Sequence, residues 1–245
     1  MHAGRVDQAQ AVVIVAAELE LFLRPGRRHS PVPVTLDGTS SVGHVVESLG
    51  VPLTEVGGLL VNGEPAGPGY RPGDADVITV AAVRRPQQLA CAGFVLDVHL
   101  GTLARRLRLV GVDAAYANDA DDDALVEQAN AGRRVLLTKD RGLLCRRKLQ
   151  MGAYVRGALP DEEFQDVLDR FRPPLAPWTR CLVCNGLLVP AARAAVDPVL
   201  RPGTRRTYHT FSRCAGCGRV YWHGAHSKRL EEIIDAAVRS APAGT

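Results

Sequence analysis

The chain has 245 residues, of which 46% are hydrophobic and 23% charged, a composition typical of folded globular proteins rather than disordered ones. No stretch approaches the roughly 18 apolar residues of a membrane span, and the N-terminal residues lack a signal-peptide pattern. We therefore expect a cytoplasmic protein and exclude membrane, secreted and fibrous classes. The net charge of +4 conceals a basic segment after residue 175, with 10 basic and 4 acidic residues. Such a segment suits a polyanion such as nucleic acid, although a solvated basic surface is an equally good explanation.

The first predicted domain covers residues 10–86 and alternates short apolar runs with turns. Strands are predicted at 12–17, 32–36, 59–61 and 77–83. A helix is predicted at 42–49, which Ser40 or Ser41 can cap and which Gly50 ends. The order strand, strand, helix, strand, strand predicts a small α+β fold.

The second predicted domain covers residues 93–175 and alternates strands with helices. Apolar runs predict strands at 94–96, 114–117 and 135–138. The helices between them have apolar residues at helical spacing and end at Gly111 and Gly132. This alternation predicts an α/β domain with a parallel sheet.

Acidic residues follow the strands of this second domain. Asp97 and Asp140 come just after apolar strands, and Asp122 lies in the first turn of an intervening helix, so all three can reach the carboxyl edge of the sheet. Converging carboxylates repel one another unless a hard divalent cation lies between them, and Mg²⁺ or Mn²⁺ is the natural choice. The pattern predicts metal-assisted phosphodiester hydrolysis, although each aspartate can also be an ordinary cap or turn residue.

The stretch from Asp97 to Thr102 also looks like the DxDxT motif of haloacid-dehalogenase-type phosphatases. That chemistry needs a second aspartate two residues after the first, and this chain has His99 there. The phosphatase interpretation is therefore disfavoured. His99 either faces phosphate at the sheet edge or is a histidine on a helix surface.

Two CxxC pairs predict a zinc site in the third domain, residues 176–226. Cys181 and Cys184 form one pair, and Cys214 and Cys217 the other. Without an export signal such pairs are typical of zinc rather than disulfides, and two of them complete a closed four-cysteine site. The remaining Cys91 and Cys145 are expected to be small buried hydrophobic residues.

Basic and aromatic side chains are candidates for contact with RNA. Between the CxxC pairs lie Arg205, Arg206 and Tyr208, which can hold phosphates and stack on bases, or instead form a basic loop with a core aromatic. Arg105, Arg106 and Arg108 on the first helix of the second domain either line an RNA path or form a solvated face. Residues 227–240 predict a helix with one apolar stripe, which packs on the core or forms a dimer contact.

Residues 48–56, with Val61-Asn-Gly63 and Pro72-Gly-Asp74, resemble the ubiquitin-like β-grasp domains of the ThiS/MoaD-like set. Sulfur carriers of that set end in a Gly-Gly tail that is activated as a thiocarboxylate. This segment instead ends Val83-Arg-Arg-Pro86 and continues into the next domain, so carrier chemistry is not expected. The resemblance implies an accessory domain that contacts RNA or a protein partner.

Four motifs resemble the Mut-seven C-terminal RNase domain family, PIN-like nucleases that carry a C-terminal zinc ribbon. They are residues 94–111, 134–144, 180–188 and 214–222, the last followed by His223 and His226. The resemblance implies an α/β PIN-like domain with Asp97, Asp122 and Asp140 as its catalytic, metal-binding acids. Bacterial members of the family often carry a ubiquitin-like N-terminal domain.

The Thr-x-Asp motif of that family reads Thr138-Lys139-Asp140 here, and Lys139 keeps the positive charge that arginine supplies in many relatives. Lys139 is therefore a further candidate for RNA contact. Typical PIN enzymes have a fourth acid, for which Asp161 or Asp123 can serve.

Together the motifs predict a metal-dependent ribonuclease that acts on RNA, with a structured RNA such as tRNA as one substrate. The alternative is a non-catalytic RNA-binding or adapter protein that uses its basic zinc ribbon and β-grasp domain. The oligomeric state and the choice between endo- and exonuclease action do not follow from the sequence.

Overall fold

The computed structural model describes residues 9–88, 91, 93–222 and 228–240. It divides into two compact units, which are Met1–Arg84 with Asp140–Tyr154, and Arg85–Lys139 with Val155–Thr245. The segment 140–154, which the predicted boundaries place in the second domain, falls in the first of these units, and the boundaries themselves stay a prediction. Ser227, the predicted start of the C-terminal helix, lies outside the described residues together with His223 and His226.

Strands and helices alternate along most of the chain. In order they are β1 Gln10–Val15, β2 Val32–Thr35, α1 Val42–Ser48, β3 Val56–Val61, β4 Glu64–Pro65, β5 Val77–Ala82, β6 Phe94–Leu96, α2 Gly101–Leu109, β7 Ala114–Tyr116, α3 Asp122–Ala131, β8 Val135–Thr138, α4 Arg141–Leu144, β9 Gly152–Tyr154, α5 Pro160–Phe171, β10 Leu188–Ala191, α6 Arg193–Val196, α7 Pro202–Thr207, β11 Phe211–Cys214, β12 Val220–Tyr221 and α8 Lys228–Ser240. None of the helices in the described ranges is long and apolar enough to span a bilayer.

The first unit is built on a mixed sheet with the strand order β2-β1-β5-β3-β4. The central pair β1 and β5 is parallel, and the remaining neighbours are antiparallel. Because successive side chains point to opposite faces, Ala11 and Val13 of β1 are buried while Gln10 and Ile14 are exposed. The buried face packs against α1 and a 3-10 helix at Ala17–Phe22, which confirms the predicted β-grasp fold.

Helix α1 has the start and the end that its sequence predicts. The Ser41 side chain accepts a hydrogen bond from the His44 N–H (3.3 Å) and caps the helix. Gly50 follows the helix with φ +96°, and a Cβ at this position would lie 2.9 Å from the Phe22 carbonyl oxygen. Glycine therefore ends α1 because both the backbone conformation and the space require it.

The core of the second unit is a parallel arrangement in which β6 lies between β7 and β8. Every residue of β6 and β8 is buried, as expected for parallel strands that helices cover on both faces. The α/β prediction is confirmed, and the strands at 94–96 and 135–138 have the predicted bounds.

The C-terminal part of this unit contains the two CxxC pairs and a small antiparallel sheet, β10-β11-β12. Helix α8 packs against α5 and α2, with Ile234 and Ala237 buried and Val238 exposed. Between β10 and β11 lies an excursion with its own cluster of Val196, Leu200 and Phe211, against which Tyr208 packs.

Candidate functional site

The four cysteines of the CxxC pairs converge. All four Sγ atoms lie within 4.8 Å of one another, with Sγ–Sγ distances of 3.6 Å for Cys181 and Cys217 and 3.3 Å for Cys184 and Cys214. Tetrahedral zinc, with Zn–S bonds of about 2.3 Å, sets ligand sulfurs about 3.8 Å apart. The cluster therefore fits a zinc ion in both donor type and spacing, and these residues could hold the metal.

Two neighbours of the cysteines shape the site. A Cβ on Gly186 would lie 3.0 Å from Cys214 Sγ, so glycine leaves room for the second pair. The Tyr221 hydroxyl accepts a hydrogen bond from the Leu182 N–H (3.2 Å) and lies 3.0 Å from Cys181 Sγ. Burial alone would raise the pKa of Cys181, but the Tyr221 hydroxyl and nearby backbone N–H groups lower it to about 6, which favours the thiolate that binds metal.

Arg108 ties this cluster to helix α2. The residue is 2% exposed, and its guanidinium donates to the carbonyls of Ala114 (2.8 Å), Leu182 (3.1 Å) and Val183 (2.8 Å). Burial lowers the pKa of Arg108 below its ordinary value. The expectation that Arg108 contacts RNA is wrong, because its charged group is enclosed and engaged. The sequence does indicate the burial of Arg108, because Arg108 follows buried Ala104 by one helical turn and so lies on the apolar face of α2.

A charged network supports the same junction. Asp113 accepts hydrogen bonds from Arg134 (2.5 Å) and from the Asn185 amide (2.7 Å), and it pairs with Arg180 at 3.2 Å. Asn185 lies between Cys184 and Gly186 with φ +67°. The network therefore links the start of β7 to the first CxxC pair.

Asp97 lies directly after β6, as predicted. It is 7% exposed; one carboxylate oxygen accepts from the Val98 N–H (2.6 Å), and the other accepts from the Thr138 hydroxyl (2.5 Å). Thr138 ends β8 and is fully buried. Among the described residues, no Lys, Arg or His forms an ion pair with Asp97, so a buried carboxylate at the carboxyl edge of the sheet has two hydrogen bonds and no counter-charge.

Tyr116 completes the surroundings of the turn after Asp97. Its hydroxyl donates to the Val98 carbonyl (2.9 Å), and a Cβ on Gly101 would lie 2.8 Å from that hydroxyl oxygen. Gly101 therefore allows Tyr116 to cross the start of α2 and to fix the turn. The apolar strand pattern of 114–117 gives no sign of this contact.

The other two predicted acids lie at helix starts. Asp122 is the half-buried first residue of α3, and its neighbour Asp121 is the cap, accepting from the Ala124 N–H (2.8 Å). Asp140 is exposed and caps α4 through Gly142 N (2.7 Å) and Leu143 N (3.4 Å). Asp97 and Asp122 belong to the second unit and Asp140 to the first, so their common metal site stays a prediction.

Several candidates for RNA contact or a fourth acid already have partners. The Lys139 ammonium donates to the Gly157 carbonyl (2.7 Å) and pairs with Glu163 (2.6 Å). Arg106 pairs with Asp161 at 2.6 Å, and the Asp161 side chain is 83% exposed. Asp123 is exposed in the first turn of α3.

The remaining basic candidates differ in exposure. Arg105 and Arg206 are exposed, and Arg205 is half-buried. Tyr208 is half-buried against the apolar cluster of the excursion, as expected from the alternative in which Tyr208 is a core aromatic residue. The accessible positive charge of the predicted RNA surface therefore lies with Arg105 and the α7 residues.

A cavity of about 820 Å³ lies at the opposite edge of the parallel sheet. It is lined by Gly93 and Phe94 at the start of β6, by Asp113 before β7 and by Arg180. Because Asp97 follows the other end of β6, this cavity does not belong to the acid-bearing edge.

Two family models match this chain. The Mut7-C RNAse domain matches residues 92–234, more than half of the chain, and the Mut7-C ubiquitin domain matches residues 8–88. Two solved structures of the small archaeal modifier protein 1 of Haloferax volcanii are similar to 30% of this chain, at 23% and 22% identity, over 95% and 94% of their own lengths and with TM-scores of 0.25. No curated protein matches. The chain belongs to the Mut7-C RNAse domain family and carries the Mut7-C ubiquitin domain in front of it, which points to a nuclease.

Proposed function

We propose that this protein is a PIN-like ribonuclease that hydrolyses RNA phosphodiester bonds with Mg²⁺ or Mn²⁺, and that its substrate is a structured RNA such as tRNA. The observation that carries the proposal is the environment of Asp97. Buried charges are normally paired or bound to metal, and Asp97 has no cationic partner among the described residues. A divalent cation at the carboxyl edge of the sheet supplies the missing charge.

The three aspartates match the ligand chemistry of such an ion. Carboxylate oxygens are the ligands that Mg²⁺ and Mn²⁺ prefer, and Asp97, Asp122 and Asp140 would hold the metal. When bound, the cation supplies an activated water and stabilises charge on the phosphate. Either Asp161 or Asp123 is the proposed fourth acid.

The chain's own residues orient the acid and the RNA. Thr138 and the Val98 N–H fix both oxygens of Asp97, which limits its rotation before metal arrives. Arg105 and Arg206 offer exposed guanidinium groups to phosphates. We expect this surface to include Arg205 and Tyr208 as well. It also includes Arg106 and Lys139, which would exchange their carboxylate partners for phosphate.

The cysteine cluster is proposed to hold a structural zinc ion. Four sulfur ligands leave no open position for substrate, as in closed structural sites. Thiolate ligands also need a reducing compartment, which supports a cytoplasmic location.

The test is cleavage of total RNA by purified full-length protein with Mn²⁺, with and without EDTA. Asp97→Asn and Asp140→Asn are expected to reduce the rate by at least about 100-fold, because each removes charge from the metal site. Asp119→Asn is the matched control, since Asp119 is exposed in the loop before α3 and is expected to retain wild-type activity.

RNA binding by the wild type without Mn²⁺-dependent cleavage would contradict the nuclease and favour the non-catalytic RNA-binding alternative. Cleavage that survives both substitutions would point to a contaminating enzyme. The protein partner expected for the β-grasp domain is a separate question, tested by affinity capture with and without RNase treatment.

A further inference from the structure

Residues 140–154 lie inside the Mut7-C RNAse match at 92–234 and yet belong to the first compact unit, together with the β-grasp residues. The segment begins with Asp140, continues through α4 and ends with β9. Arg141 near its start and Tyr154 at its end both contact the first unit, and Leu144 and Leu149 between them line a cavity with residues of that unit.

The first end is held by Arg141. Its guanidinium donates to the carbonyls of Phe22 (2.8 Å) and Leu21 (2.9 Å), at the end of the 3-10 helix, and its centre lies 5.2 Å from the centre of the Phe22 ring. The last carbonyls of a helix lack partners within it and carry partial negative charge. A planar guanidinium can satisfy two of them at once and also stack on the ring.

The second end is held by Glu55 and by an aromatic contact. Glu55 is fully buried, and its carboxylate accepts from the Tyr154 N–H (2.8 Å). The Tyr154 ring meets the Phe22 ring edge to face, with centroids 5.1 Å apart. Both ends of the segment therefore converge on Phe22, which is 1% exposed in the core of the β-grasp unit.

We propose that the β-grasp domain positions a proposed catalytic acid: by holding residues 140–154 through Arg141 and Tyr154, it fixes the location of Asp140. The expected effect on catalysis rests on the proposed nuclease function. The attachment of residues 140–154 to the β-grasp domain follows from the contacts alone. Arg141 is a positioning residue, adjacent to Asp140 in the chain and bonded to the β-grasp backbone.

The test compares three full-length variants. Arg141→Ala removes both carbonyl contacts and the ring contact. Arg141→Lys keeps the charge but cannot span two carbonyls. Arg147→Ala removes the same charge from the same segment, at an exposed residue for which the described structure shows no hydrogen bond or ion pair. Circular dichroism first establishes that each variant is folded.

The first readout is amide hydrogen exchange over residues 140–154, which does not depend on activity. Arg141→Ala is expected to accelerate exchange in this segment, Arg141→Lys to do so less, and Arg147→Ala to leave it unchanged. Equal exchange in Arg141→Ala and Arg147→Ala would overturn the proposal whether or not the protein cleaves RNA. If Arg141→Ala is unfolded, the comparison of Arg141→Lys with Arg147→Ala decides by the same criterion.

The second readout is the Mn²⁺ concentration that gives half-maximal cleavage. Arg141→Ala is expected to raise it about 10- to 100-fold, as for residues that orient metal ligands, and Arg147→Ala by no more than about twofold. An unchanged Mn²⁺ requirement in an active Arg141→Ala variant would overturn the positioning of Asp140 and leave the nuclease function intact. Absence of Mn²⁺-dependent cleavage in the wild type would overturn the proposed function, and the exchange data would still decide whether the segment is held.

Discussion

The cysteine cluster and the acidic residues are both candidate metal sites, yet they are built differently. The cluster uses two short CxxC loops and a neighbouring glycine, and its four sulfurs already lie within 4.8 Å of one another. The acids come one at a time from separate elements, and Asp140 packs in a different unit from Asp97 and Asp122. The comparison teaches that ligands on local loops define a site by their spacing, whereas ligands on distant elements depend on how the whole chain packs.

The largest expected effect is on the cysteine cluster. Cys214→Ser is expected to abolish stoichiometric zinc and to unfold the ribbon, because binding of structural zinc contributes on the order of 10 kcal/mol. Metal analysis and thermal unfolding measure both effects. Cys145→Ser is the control, since Cys145 lies in the β-grasp unit and outside the cluster; equal zinc loss in both variants would contradict the assignment of the ligands.

The next effect is at Asp97. Thr138→Val removes the hydroxyl that donates to Asp97 Oδ2, so the carboxylate loses one of the two contacts that orient it. We expect the Mn²⁺ concentration for half-maximal cleavage to rise about 10- to 100-fold, whereas Thr138→Ser, which keeps the hydroxyl, restores it. If valine and serine have the same effect, the hydroxyl does not orient the acid.

Arg108 and Arg105 form a matched pair on helix α2. Arg108→Ala is expected to destabilise the protein by about 3 kcal/mol, because it leaves three carbonyls without their donor. Arg105→Ala, at an exposed position, should leave the unfolding midpoint in urea unchanged and weaken RNA binding. If Arg105→Ala destabilised the protein and Arg108→Ala only weakened RNA binding, the roles assigned to the two arginines would be contradicted.

The smallest effect concerns the pH dependence of Asp113. Burial alone would raise its pKa, but the hydrogen bonds from Arg134 and Asn185 outweigh this and lower the pKa below the ordinary value of 3.8. The stabilisation from the ionised form is therefore complete above that value and disappears as the pH falls through the lowered pKa. An NMR titration of the Asp113 carboxyl carbon in zinc-loaded protein should show a midpoint below 3.8, and Arg134→Ala should raise it.

Local patterns predicted much of the fold. Continuous apolar runs give the bounds of β6 and β8. Ser41 marks the start of α1, and Gly50 marks its end. Helix α5 is absent from the predictions, although Pro160 and the acidic residues after it are a typical helix start. The short elements of the excursion between β10 and β11 are also missing, since four- to six-residue elements have too few positions to show a period.

The contacts of the site were harder to predict than its residue types. Asp97 and the cysteines were identified correctly as lying after a strand and in paired loops. The role of Arg141 has no local signal, because its partner Phe22 is 119 positions away in sequence. The burial of Glu55 likewise has no local signal, since Tyr154, whose N–H donates to its carboxylate, is 99 positions away in sequence.

Helix α2 begins four residues after Asp97 and holds the first CxxC loop through Arg108 near its other end. Its nine residues form a rod of about 14 Å. Withdrawal of zinc would release two of the three carbonyls that anchor the far end of this rod. Under the proposed functions, zinc starvation would then loosen the scaffold beneath Asp97, so that RNA cleavage would depend on the supply of a metal that takes no part in the proposed reaction.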